Sequence, residues 1–161
     1  MKNKSSLLHI GFKSGFLTKL AQRIRIEVIA RNKAGDIMLG KQQKEGDTWY
    51  MFPGGGVEPD ETLEDAARRE FAEEVGKNLR NVKMLSHPPT DVTKPDYHSR
   101  TYYVTGQLAG GPSPKNFGAD QDIIENLLWA NPQKAQELLY LNPMKEAGKL
   151  RAKVIQSLKQ I

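Results

Sequence analysis

Glu70, Glu73 and Glu74 crowd the end of one short predicted helix, an arrangement that like charges resist. At i,i+3 and i,i+4 they repel by a few tenths of a kcal/mol per pair, and near a helix C-terminus they oppose the macrodipole. With residues spaced at about 100° around the helix, Leu63, Ala66, Ala67, Phe71 and Val75 form an apolar stripe. Glu70 and Glu74 fall within about 20° of Leu63, in the middle of that stripe, and Glu73 lies on its rim. Asp65, Arg68, Arg69 and Ala72 take the opposite face. Arg69 can answer Glu73 one turn away, but the helix positions facing Glu70 and Glu74 are Ala66 and Ala67. A partly buried, unpaired carboxylate costs more than the repulsion or the dipole. A cation from outside the chain is therefore the expected partner, and hard oxygen donors select Mg²⁺ or Mn²⁺. The competing reading is a solvated, charged surface helix, and the inward angles of Glu70 and Glu74 count against it.

The residues before the helix must position these acids. Trp49 to Phe52 reads as a short strand that runs through Pro53 into a glycine loop, Gly54-Gly55-Gly56. Three glycines exceed what a plain turn needs, and they let backbone N–H groups or carbonyls approach a metal–phosphate complex closely. The helix is predicted from about Thr62 to Val75, with Thr62 as N-cap, Asp65 three residues on and Gly76 ending it. Arg23 to Arg31 alternates as a strand with Ile24, Ile26 and Val28 on one face, and a turn at Ala34-Gly35-Asp36 leads to a second strand, Ile37 to Gly40. Leu79 to Leu85, Arg100 to Leu108 and Ile123 to Ala130 are further strands. Ser86 to Ser99 and Gly110 to Gly118 read as loops. Pro132 opens a helix through about Tyr140, and Asn142-Pro143 opens a last, basic one. The expected architecture is α/β: a mixed sheet with the glutamate helix on one face and C-terminal helices packing outside.

With 161 residues, no repeat and no linker, the chain is expected to make one domain, with residues 1–22 as an N-terminal extension and 142–161 as a basic C-terminal helix. The absence of cysteine excludes disulfides and thiolate-held zinc, and points to a reducing, cytoplasmic location. No apolar run approaches the ~18 residues of a membrane span, and Lys13 and Lys19 break the pattern of a signal peptide. Net charge is +5 but segregated: residues 1–44 hold ten basic residues against Glu27 and Asp36, while 45–140 hold nine against sixteen acids. An acidic centre between basic ends suits a cation site that attracts a polyanion. Nucleic-acid binding as the main role is disfavoured, because the basic residues are not interleaved with aromatics.

Gly55-x5-Glu61-x7-Arg69-Glu70-Phe71-x-Glu73-Glu74-x-Gly76 resembles the box that marks the Nudix hydrolases, at every fixed position but the last. There Lys77 stands where the family has an aliphatic residue, a departure that concerns packing after the helix rather than a ligand. The resemblance covers about a seventh of the chain, and it implies an α/β/α sandwich and hydrolysis, by water, of the phosphoanhydride in a nucleoside diphosphate linked to another moiety. Carried over, it makes Glu70, Glu73 and Glu74 ligands of Mg²⁺, with the Gly54 carbonyl beside them, and Arg69, tied to Glu61, the residue that orients the glutamates. The catalytic base would lie within the box or be an acid from a later segment, with Glu125 the best outside candidate ahead of Asp120 and Asp122. Arg25, Trp49, Tyr97 and Phe117 are the candidates for substrate contact, the aromatics through stacking on a base. The first choice of substrate is a (deoxy)nucleoside triphosphate or a nucleotide sugar. The alternatives are removal of diphosphate from RNA 5′ ends and a non-catalytic nucleotide sensor, which the intact acids oppose. A monomer or homodimer is expected.

Overall fold

The computed structural model describes residues 22–109 and 126–158. The chain runs β1 (Gln22–Ala30), β2 (Ile37–Lys44), β3 (Asp47–Met51), β4 (Gly54–Gly56), α1 (Leu63–Val75), β5 (Asn78–Met84), β6 (Thr90–Lys94), β7 (Tyr97–Ala109), β8 (Asn126–Ala130), α2 (Pro132–Tyr140) and α3 (Lys145–Ser157). The larger sheet has the order β4-β1-β7-β5, with β6 also on β7; the smaller is β3-β2-β8. Among the described residues only the β1–β7 pairing is parallel, with Arg25 opposite Thr101, so the sheet is mixed as expected.

Alternation along β1 serves two cores. Ile26, Val28 and Ala30 pack with Ala66, Ala67 and Phe71 of α1. Ile29 faces the other way and joins Leu39, Phe52 and Tyr103 with Leu139 of α2 and Ala152, Val154 and Ile155 of α3. The glutamate helix thus covers one face and the C-terminal helices the other, which is the sandwich the resemblance implies. No helix among the described residues is long and apolar enough to cross a membrane.

Three elements differ from expectation. Gly54–Gly56 is not a loop but the edge strand β4, which pairs antiparallel with β1 so that Gly54 lies opposite Glu27 and Gly56 opposite Arg25. The segment 86–99 is not a continuous loop either: β6 and β7 form a hairpin across it, Thr90 opposite Thr101 and Lys94 opposite Tyr97. Its prolines avoid the ladder, Pro88 and Pro89 standing before β6 and Pro95 in the two-residue turn, so each is compatible with pairing. The last helix starts at Lys145 rather than at Asn142, because Asn142 is used elsewhere: its side chain donates to Tyr50 O at 3.0 Å and accepts from Met144 N at 3.2 Å. The predicted loop 110–118 and the start of the predicted strand at Ile123 lie outside the described residues.

Candidate active site

Helix α1 is fixed at both ends by local chemistry. Thr62 Oγ1 accepts from Asp65 N at 3.1 Å, and Gly76, in the left-handed region at φ 69°, returns its N–H to Ala72 O at 3.0 Å. The buried Ala66, Ala67 and Phe71 then fix the rotation of the helix, which turns Glu70 and Glu74 towards β4.

The glycines of β4 make that approach possible. A Cβ on Gly55 would run into the carboxyl group of Glu70. Gly54 has φ +148°, and a Cβ there would meet Ile26 O of the neighbouring strand. Its N–H donates to Glu74 Oε2 at 2.7 Å.

Arg69 lies over the β4 edge and ties the acids together. It donates through Nε and Nη2 to the two oxygens of Glu61, both at 2.9 Å, and through Nη2 to Gly56 O at 2.9 Å. Its Nη1 reaches Glu70 Oε1 at 2.8 Å and Glu73 Oε2 at 3.3 Å. Helix angles alone leave Glu70 without a partner inside the chain; Arg69 Nη1 supplies one, as its assigned role of orienting the glutamates implies. These hydrogen bonds hold the Glu61 carboxyl below its ordinary range.

Among the described residues Glu74 is in no direct ion pair, and Arg25 acts on it only at a distance. Burial pushes the Glu74 pKa up to about 8, and the Glu70 and Glu27 carboxylates add to the rise, against the opposing effects of the Gly54 N–H and Arg25. Among the described residues no three acids or histidines are already gathered in ligating geometry. Glu70 and Glu73 are turned to Arg69 and Glu74 to Gly54. The donors nevertheless fit a hard divalent cation: they are carboxylate oxygens on one helix face beside a side-chain-free strand, and one of them, Glu74, is in no ion pair among the described residues.

A cavity of about 310 Å³ opens on Gly54 and Glu74, and Arg25, Trp49 and Tyr97 line it. Three of the four predicted substrate contacts therefore meet around the glutamate site; Phe117 lies outside the described residues, as do Glu125, Asp120 and Asp122. A larger hollow of about 820 Å³ runs on the other side of Arg25 along Gly56, Glu58 and Glu61, but the smaller cavity is the one that reaches Glu74. Arg23 sits over the Tyr97 ring, 5.7 Å from its centroid. Trp49 Nε1–H is buried with no acceptor among the described residues.

Two residues of this region were missed by the sequence reading. Glu27 on β1 and Arg151 on α3 form a buried ion pair, and Arg151 lines the cavity. Burial alone would lower the Arg151 pKa, and the Glu27 carboxylate more than offsets it. The available signal was Glu27, the lone acid of the strand segment RIRIEVIAR.

Comparison with known proteins places this geometry in a family. The chain is 41% identical over 64 residues to an RNA pyrophosphohydrolase of Pseudomonas fluorescens strain SBW25, a match covering 40% of this chain and 39% of that protein. It is 35% identical over 69 residues to an RNA pyrophosphohydrolase of Coxiella burnetii, 43% of this chain and 30% of that one. The chain thus spans less than half the length of these curated relatives. Among solved structures, a NUDIX hydrolase from Nitrosomonas europaea superposes with a TM-score of 0.65 at 14% identity, over 87% of this chain and 90% of that one. A MutT protein from Methanosarcina mazei Go1 superposes with a TM-score of 0.63 at 14% identity, over 89% and 99%. At such identities the likeness is one of fold. The NUDIX domain model matches residues 21–154, and with the box helix, the glycine strand and the sandwich already in hand, the chain belongs to the NUDIX domain family.

Proposed function

We propose that the chain is a divalent-cation-dependent pyrophosphohydrolase, one domain over 1–161 acting in the cytoplasm, that cleaves the phosphoanhydride of a nucleoside polyphosphate. The observation that carries this reading is the approach of Glu70 and Glu74 to β4, with Glu73 held one turn away by Arg69, next to a cavity that Arg25, Trp49 and Tyr97 also line. Glu70, Glu73, Glu74 and the Gly54 carbonyl would hold Mg²⁺, or Mn²⁺ in its place. A cation bound there supplies Lewis acidity at the diphosphate oxygens and lowers the pKa of water. Arg69 keeps the carboxylates aimed at one another across the helix turn, while Glu61 pins Arg69 to the loop ahead of it. Gly54 N–H orients Glu74, and a carboxylate of this group receives the proton of the attacking water. Arg25 offers positive charge to the phosphates, and Trp49 and Tyr97 offer ring faces to a base.

The first choice of substrate is a (deoxy)nucleoside triphosphate or a nucleotide sugar. Removal of diphosphate from RNA 5′ ends is the second reading, favoured by the likeness of part of the chain to RNA pyrophosphohydrolases and by the basic residues of 1–44. A panel of free nucleotides, nucleotide sugars and 5′-triphosphorylated RNA, assayed for Mg²⁺-dependent phosphate or pyrophosphate release, separates them. Salt-sensitive preference for the RNA selects the second reading. No cleavage of any member with either Mg²⁺ or Mn²⁺ would overturn both and leave a nucleotide sensor.

A further inference from the structure

Glu27 is the one carboxylate among the described residues that is nearly inaccessible, at 3% exposure. Alternation turns Ile26 and Val28 towards α1 and Glu27 the other way, where Arg151 of α3 meets it from 124 positions along the chain. Nε of Arg151 donates to the two Glu27 oxygens at 2.9 and 3.0 Å, and Nη2 donates to Oε1. The remaining nitrogen, Nη1, donates to no described residue. Arg151 forms part of the cavity wall with Arg25, Gly54 and Glu74, and Glu27 stands opposite Gly54 in the β1–β4 register.

Anchoring α3 does not require this pair. Ala152, Val154 and Ile155, next to Arg151, are fully buried in the apolar core and hold the helix down. A buried ion pair is commonly no more stabilising than apolar residues of the same volume. Its distinctive property is orientation: a bidentate carboxylate fixes the plane of a guanidinium, and a planar, permanently charged fork suits phosphate oxygens. With Arg25 on the same wall, two cations flank the approach to Glu74.

We propose that Arg151 is a substrate contact whose Nη1 donates to a non-bridging oxygen of the polyphosphate chain, and that Glu27 is the positioning residue that sets its plane. The C-terminal helix then completes the substrate site as well as the fold. This inference rests on the phosphoanhydride reading, and the test separates the two.

The probe is inorganic pyrophosphate with Mg²⁺, its binding measured by calorimetry alongside melting curves without ligand. Arg151→Met alone leaves Glu27 buried and unpaired, so the informative variant is Glu27→Met with Arg151→Met, an apolar pair that keeps α3 packed. It should melt near the wild-type temperature and bind pyrophosphate about tenfold more weakly or worse, the loss of one charge-assisted hydrogen bond. In turnover it should raise KM more than it lowers kcat. Arg151→Lys keeps the charge but loses the fork, and Glu27→Gln keeps the fork but loosens its clamp; both should weaken binding with less effect on folding, and they carry the test if the double variant does not fold. Unchanged pyrophosphate affinity and KM in folded variants overturn the role of Arg151 while leaving the anhydride reading intact. Failure of the wild-type protein itself to bind pyrophosphate overturns the phosphate contact at Arg151, whereas failure to cleave any nucleotide or RNA of the panel overturns the anhydride reading.

Discussion

Gly54 and Glu74 meet across the strand–helix boundary: the Gly54 N–H donates to Glu74 Oε2 at 2.7 Å, although the two are 20 positions apart. This single neutral donor is a weak counterpart for a carboxylate that burial pushes up to a pKa of about 8. The strand therefore supports Glu74 without neutralising it, and leaves the charge for a cation to balance.

The pH dependence of the metal-free protein follows from that imbalance. Glu74 titrates near its ordinary 4.5 when unfolded and near 8 when folded, so between these values the folded state binds the extra proton. Proton uptake then favours the fold at low pH, and stability should fall as pH rises from about 4.5 to about 8 and level off above. Glu74→Gln, fixed in a neutral form, should flatten this slope, melt higher than wild type at pH 8 in a chelator, and lose at least about a hundredfold in Mg²⁺-dependent turnover. Mg²⁺ should raise the wild-type melting temperature more at pH 8 than at pH 6, since it needs the ionised form. Melting curves against pH, with chelator and with Mg²⁺, check all three. An unchanged slope in Glu74→Gln would assign the titration to another group.

Gly55 and Gly56 offer a paired control on the closeness of helix and strand. A Cβ at Gly55 would strike the Glu70 carboxyl group, whereas one at Gly56 meets nothing within 4 Å. Gly55→Ala should therefore push Glu70 out of line and lower activity by about tenfold or more, while Gly56→Ala stays within about threefold of wild type. Melting temperatures should separate less than activities, because the displaced group is a partly exposed side chain. Equal activities in the two variants would mean that Glu70 has room to turn aside.

What could be read from the sequence was local. A 100° spacing was enough to show Glu70 and Glu74 on the buried face of α1, and Thr62 and Gly76 marked its ends, because capping and periodicity act within one or two turns. Pairings with distant partners were hidden. Three glycines have no strand preference of their own, and β4 forms only because β1 supplies a ladder. The alternation of β6 was masked by Pro88, Pro89 and Pro95, whose positions outside the ladder only the register reveals. Arg151 was one basic residue among several in the last helix, and nothing near it in sequence points to Glu27. The convergence of Arg25 with Trp49 and Tyr97 likewise depends on β1 lying parallel to β7 and β3 belonging to the second sheet.

Trp49 provides an optical test of where substrate sits. Trp49 lines the cavity that contains Glu74, and its Nε1–H is buried without an acceptor among the described residues, an arrangement that costs about 1–3 kcal/mol. The chain has one other tryptophan, Trp129, which is 40% exposed on β8 and lines a different hollow with Arg31 and Arg80. A nucleotide in the Glu74 cavity should quench the emission of Trp49 and leave that of Trp129 unchanged. The Trp129→Phe variant should keep the full quench and Trp49→Phe should lose it, with KM raised about threefold to tenfold if an acceptor on the substrate reaches the indole N–H. The stability loss in Trp49→Phe should be smaller than for an ordinary truncation of this size, because the substitution also removes the unpaired donor. Titrating each variant with nucleotide and Mg²⁺ at constant ionic strength gives the quench and its midpoint directly. A quench that followed Trp129 instead would move the base to the far hollow and leave the Glu74 cavity for the phosphates alone.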